Sequence, residues 1–105
     1  MKSSRKVIKF KKSLAEILQY VDKKCDAGNY VDALSALYFY SSKKNIGYEV
    51  WAHIADIYTE MGLYEMAIHC WLKYITFCDN EESFADAYNG LGANYYFICD
   101  KDRAG

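Results

Sequence analysis

Four cysteines and two histidines carry the softest chemistry in this chain: Cys25, Cys70, Cys78, Cys99, His53 and His69. A structural zinc site draws its ligands from closely spaced Cys and His pairs. Here no two cysteines form a C-x-x-C pair, and neither histidine stands at zinc spacing from them. No metal or other cofactor is therefore expected, and the cysteines read as small apolar fillers. His69 and Cys70 are adjacent, so on a helix they point about 100° apart and cannot easily serve as base and nucleophile. Gly90 and Gly92 lie within a helical pattern, not in a phosphate-binding loop after a strand. No Ser–His–Asp order stands out, and an enzyme is not expected. What does recur is acid. Asp22 returns as Asp56 and Asp26 as Glu60, each after 34 residues.

The elements that would position these residues read as helices. The chain has 105 residues, enough for one domain with a modest core. Hydrophobic residues make up 52% and charged residues 26%, a globular balance. There is no proline, and few segments alternate with a period of two, so sheets are not expected. Eleven tyrosines offer wide wedges between helices. No apolar run reaches membrane-spanning length. Val7, Ile8 and Phe10 are too few, and too broken by Lys9, for a signal-peptide core. The expected setting is a reducing cytoplasm with free thiols.

Charge is unevenly placed. Residues 1–13 carry Lys2, Arg5, Lys6, Lys9, Lys11 and Lys12 and no acid. The rest of the chain has seven basic residues against fourteen acidic ones, a net charge of −7. Such an arm can touch nucleic acid, an acidic partner or an anionic membrane. It can equally be a solvated terminus. Val7, Ile8 and Phe10 could dock part of it on the first helix pair.

Ser13-Leu14-Ala15-Glu16 has the form of a capping box and starts a helix running to about Ala27. Gly28-Asn29-Tyr30 is a turn, with Asn29 as N-cap, before a second helix to Ser42. The same order follows at Trp51, Ile54, Ala55, Tyr58, then Met61-Gly62-Leu63-Tyr64, then Ala67, Ile68 and Trp71. Gly28 and Gly62, Tyr30 and Tyr64, Ala33 and Ala67, and Tyr40 and Tyr74 are each 34 residues apart. Ala55 and Ala67 are small where two helices must approach closely. After Asp79-Asn80-Glu81-Glu82-Ser83, a further helix is expected from about Ser83 to Cys99, carrying Tyr88, Leu91, Gly92 and Tyr95.

This pattern resembles the tetratricopeptide repeat, whose signature is W-x2-L-G-x2-Y followed by A-x3-F. Ile54 stands for its Leu, Ala55 for its Gly and Trp71 for its Phe; Tyr88-x-x-Leu91-Gly92-x-x-Tyr95 matches the first half more closely. The resemblance implies an all-α, right-handed solenoid of antiparallel helix pairs, about five helices in all. It divides the chain into an arm at 1–13 and a repeat domain at 14–105. The repeats fall at 14–47, 48–81 and a truncated 85–105, with Ala104 in the place of Ala67. Proline is missing from the repeat ends, Lys24 replaces an aromatic residue, and Tyr40 and Tyr74 stand where the family has small residues.

The family's first helices line a concave groove that holds protein or peptide partners. By the resemblance, the groove face includes Gln19, Asp22 and Asp26, then Glu49, His53, Asp56 and Glu60, then Asp86, Asn89 and Tyr96. The Lys, Arg and Asn that hold a terminal carboxylate in chaperone-binding members are replaced by Leu18, Asp22, His53, Asp86 and Gly90. The groove is mostly acidic, which favours a basic partner, although a solvated helix face carries the same pattern. The expected function is a protein- or peptide-binding scaffold. The alternatives are an assembly domain whose basic arm contacts nucleic acid, or a secretion-type chaperone for an extended client. No membrane contact is expected. The C-terminal end, with Leu91, Tyr95 and Ile98 exposed, should either continue into a longer repeat protein or pair as a homodimer.

Overall fold

The computed structural model describes residues 13–42 and 47–104, with side chains through Lys101. The basic arm, its apolar residues Val7, Ile8 and Phe10, and most of the expected connection at 41–47 lie outside the described residues. Five helices and no strand occur among the described residues: α1 (Leu14–Asp26), α2 (Tyr30–Ser41), α3 (Glu49–Glu60), α4 (Tyr64–Phe77) and α5 (Glu81–Ala104).

The first helix starts at the expected capping box. Ser13 Oγ accepts the Glu16 amide at 3.3 Å, and Glu16 Oε1 accepts the Ser13 amide at 3.2 Å. Both short turns end a helix in the same way. Gly28 and Gly62 each have φ of 79°, the left-handed region that disfavours residues with a Cβ. The Gly28 amide donates to Cys25 O and the Asn29 amide to Lys24 O; Gly62 donates to Thr59 O and Leu63 to Tyr58 O. This is the Schellman pattern twice, one copy 34 residues after the other. Asn29 does sit at the N-cap of α2, but its side chain makes no capping bond. Its backbone is already committed to closing α1.

Each helix packs mainly on its neighbours in sequence: α1 on α2, α2 on α3, α3 on α4 and α4 on α5. Ala33, Ala55, Ala67 and Ala87 are all fully buried, so small residues mark the close approaches. Aromatic rings fill the wider gaps. Tyr48 and Tyr74 meet edge to face at 4.9 Å, and Trp71 meets Tyr74 at 5.1 Å. Their polar tips are satisfied where they are covered, as Tyr38 Oη and Tyr58 Oη share a hydrogen bond of 2.9 Å. Gly90 has its place here, because a Cβ on it would fall inside the Trp71 indole.

The last helix departs most from expectation. It begins at Glu81, where Asn80 Oδ1 accepts the Ser83 amide at 2.8 Å and Glu81 and Glu82 occupy the first turn. That is an N-cap with acid at the positive end of the helix. It then runs unbroken to Ala104, so Gly92 and Ala104 share one helix and no second helix of a third pair is present among the described residues. Its buried stripe is Ser83, Ala87, Leu91 and Asn94. Leu91, expected to be exposed, is buried, and Ile98 packs against the core.

Asn94 was not anticipated. It is 2% exposed and lies between α5 and α3. Its Nδ2 donates to Gly90 O at 2.8 Å. The Thr59 hydroxyl lies 3.0 Å from both Asn94 Oδ1 and Ala55 O, with one proton to share between them. A second polar tie joins the same helices at their other end, where Tyr48 Oη meets Ser83 Oγ at 2.7 Å.

Ala67 has no exposed surface and α4 packs closely on α3 there. Ala67→Trp should therefore destabilise the fold by about 1–3 kcal/mol through overpacking. Thermal unfolding should register this as a drop of roughly 4–8 °C per kcal/mol. An unchanged melting temperature would contradict this packing.

Candidate functional site

Helix geometry puts residues three and four apart on one stripe. On α1 that stripe includes Leu18, Asp22, Cys25 and Asp26; on α3 it includes His53, Asp56, Ile57 and Glu60. The structure sets the two stripes against each other around a cavity of about 220 Å³. Leu18, Val21 and Ile57 form its apolar floor, and Asp22, Asp26, Asp56 and Glu60 bring four carboxylates to its walls. Cys25 and His53 complete the lining.

The two turns explain why these residues meet. Asp26 and Glu60 are the last residues of their helices, immediately before Ala27-Gly28 and Met61-Gly62. Identical helix endings thus place identical charge patterns at the same level of adjacent elements. Carboxylates at the C-terminal end of a helix face the negative end of its dipole. This arrangement lowers stability, which is a common mark of a surface kept for binding.

None of the four carboxylates forms an ion pair with a described residue. The one ion pair among the described residues, Lys24 Nζ to Asp32 at 3.6 Å, lies elsewhere. Burial in the cleft raises the Asp56 carboxyl above its ordinary range; the nearby His53 pulls it back and Glu60 pushes it further up. The residue as a whole is open to water, but its carboxyl is flanked by the cavity walls. The Cys25 thiol is also raised, first by burial and then by Glu60, Asp22 and Asp26. It is therefore a poor nucleophile at neutral pH. Cys70 is buried, and burial pushes its thiol up to about 11, so it too is inert. No group of His, Cys, Asp and Glu among the described residues has the arrangement to hold a metal ion. No described helix is long and apolar enough to cross a membrane.

Of the ten residues expected on the groove, the cavity gathers Asp22, Asp26, His53, Asp56 and Glu60. Gln19 and Glu49 are exposed on α1 and α3, respectively, outside its lining. Asp86 is exposed on α5 and also outside it. Asn89 and Tyr96 fall on the side of α5 opposite its buried stripe, which turns them away from α3. Gly90, also placed on the groove face, instead abuts Trp71. The floor residues Val21 and Ile57 were missed as site residues because their apolar character marks them as core.

The raised Asp56 carboxyl has a definite sign for stability. The folded state favours the protonated form, so the penalty is absent at acid pH and appears as pH rises through the carboxylate range. Asp56→Asn should raise the melting temperature at neutral pH, and the gain should vanish toward acid pH. Thermal melts of both proteins across pH check this; a lower melting temperature for the variant at neutral pH would contradict it.

The chain matches no protein-family model, and no curated protein or solved structure is significantly similar to it.

Proposed function

We propose that this chain is a protein- or peptide-binding scaffold of the tetratricopeptide kind and not an enzyme. In this reading the helices stack as antiparallel pairs in a right-handed solenoid, and the cleft between α1 and α3 receives a basic segment of a partner. The observation that carries the reading is the convergence of Asp22, Asp26, Asp56 and Glu60 on one cavity with no described cation to pair them. Like charges held together with no counter-charge among the described residues repel, and a Lys or Arg entering the cleft relieves that repulsion. The apolar floor of Leu18, Val21 and Ile57 suits the aliphatic stem of such a side chain.

Further support comes from the paired Schellman turns at a 34-residue interval and from α1 and α3 lining one face together. The buried thiols of Cys70 and Cys78 act as apolar filler, which fits a reducing, cytoplasmic setting.

Fluorescence anisotropy with short labelled peptides tests the proposal. Lys- and Arg-rich peptides should bind more tightly than acidic ones, and added salt should weaken them. Asp56→Lys combined with Glu60→Lys should reduce the affinity by roughly tenfold or more, equivalent to about 1.4 kcal/mol, while leaving the helical circular dichroism intact. Equal binding of acidic and basic peptides would overturn it.

A further inference from the structure

The first helix pair carries a groove whose described lining comes from α1 and α2 alone. It holds about 400 Å³ between Ile17 and Tyr20 of α1 and Ala36 and Phe39 of α2. Glu16 and Asp32 also line it, and no described basic residue does. Ile17 and Ala36 pack against the core, whereas Tyr20 is 45% exposed and Phe39 58% exposed. In a stack of helix pairs each open face needs a cover. Here no other described helix supplies one to this groove. The groove is separate from the acidic cleft, with which it shares no lining residue.

One segment of the chain has the length, the position and the charge to fill it. Twelve residues precede Ser13, and Ser13 enters α1 with an extended backbone, φ −74° and ψ 163°. The groove begins beside that entry, at Glu16 and Ile17. Lys11, Lys12 and Ser13 give three residues between Phe10 and α1, as many as turn α1 into α2. A segment that reverses there runs antiparallel to α1, along the groove. From Phe39 to Asp32 α2 advances about 10 Å. An extended Val7-Ile8-Lys9-Phe10 covers about the same distance.

We propose that residues 7–10 of the basic arm dock in the α1–α2 groove of their own chain and form the cover of the first helix pair. Phe10 then sits by Ile17, Ala36 and Phe39. Ile8 lies on the same side of an extended segment as Phe10 and reaches Tyr20. Arg5 and Lys6 arrive at the Asp32 end, and Lys11 and Lys12 stay near Glu16. The arm carries six positive charges and no acid, so neither carboxylate repels it. Lys24 already lies 3.6 Å from Asp32, so that acid is shared. Exposed ion pairs contribute little, and burial of Ile8 and Phe10 is the larger effect. Charge sets the direction of the arm, and the apolar contact holds it.

Nuclear magnetic resonance and limited proteolysis on the full chain test this. Nuclear Overhauser contacts should connect the Phe10 ring to Ile17 and Ala36 and persist on dilution. Phe10→Ser should abolish them, shift the amide resonances of Ile17 and Ala36, and leave those of Asp56 and Glu60 in place. The same variant should speed trypsin cleavage after Lys6 and Lys9 by about tenfold or more, because a docked segment must open before it is cut. Phe39→Ser should release the arm from the groove side with the helical circular dichroism retained; should that variant not fold, Phe10→Ser alone decides. Absence of the Phe10 contacts in the wild-type chain overturns the proposal. So do contacts seen only between differently labelled copies, which would make the occupant the arm of a second chain. Shifts at Asp56 and Glu60 in place of Ile17 and Ala36 would put the arm in the acidic cleft and overturn it too, as would an unchanged cleavage rate in Phe10→Ser.

Discussion

Everything in this fold depends on two reversals of the chain that only a left-handed residue can make. Gly28 and Gly62 turn α1 into α2 and α3 into α4 within three residues each. At each turn the two amides after the helix are satisfied by carbonyls of its own last turn, so reversal leaves no orphaned donor there. A residue with a Cβ would be strained at either position. With turns this short, the following helix must lie directly against the one before it. The crossing then tolerates nothing larger than Ala33 or Ala67, and both have no exposed surface.

Close crossings at one end leave wider gaps at the other, and the aromatic residues occupy them. Tyr48, Trp71 and Tyr74 interlock edge to face between α3, α4 and the start of α5. Tyrosine suits this place because its ring fills volume while its hydroxyl ties off a neighbour, as with Tyr48 and Ser83 or Tyr38 and Tyr58. The same economy explains Asn94. Buried between helices, its amide answers the Gly90 carbonyl and the Thr59 hydroxyl, so no described buried side-chain polar atom is left unpaired. Such a tie fixes how α5 seats against α3 in a way that apolar contacts alone do not.

Much of this was legible in the sequence. The 34-residue recurrence of Gly, Tyr and Ala located the turns and the close crossings, because each of those residue types answers one local geometric demand. The capping box at Ser13 located a helix start for the same reason. The last helix was harder to read. Its N-cap, Asn80, stands among polar residues that resemble a loop. Its buried stripe includes Ser83 and Asn94, which hydrophobic periodicity does not count. Following the tyrosines instead placed the apolar stripe one step around the helix and put Asn89 and Tyr96 on the groove; Leu91 was expected outside because that stripe was left without a partner helix, whereas it packs into the core. The acidic site was half legible. Charge spacing on α1 and α3 found the carboxylates, but their convergence needed the two helices to lie side by side.

At the cleft the constraint is electrostatic. Four carboxylates share walls with Leu18, Val21 and Ile57, and the shielding that raises Asp56 also strengthens the attraction for a cation that enters. Salt should act strongly there.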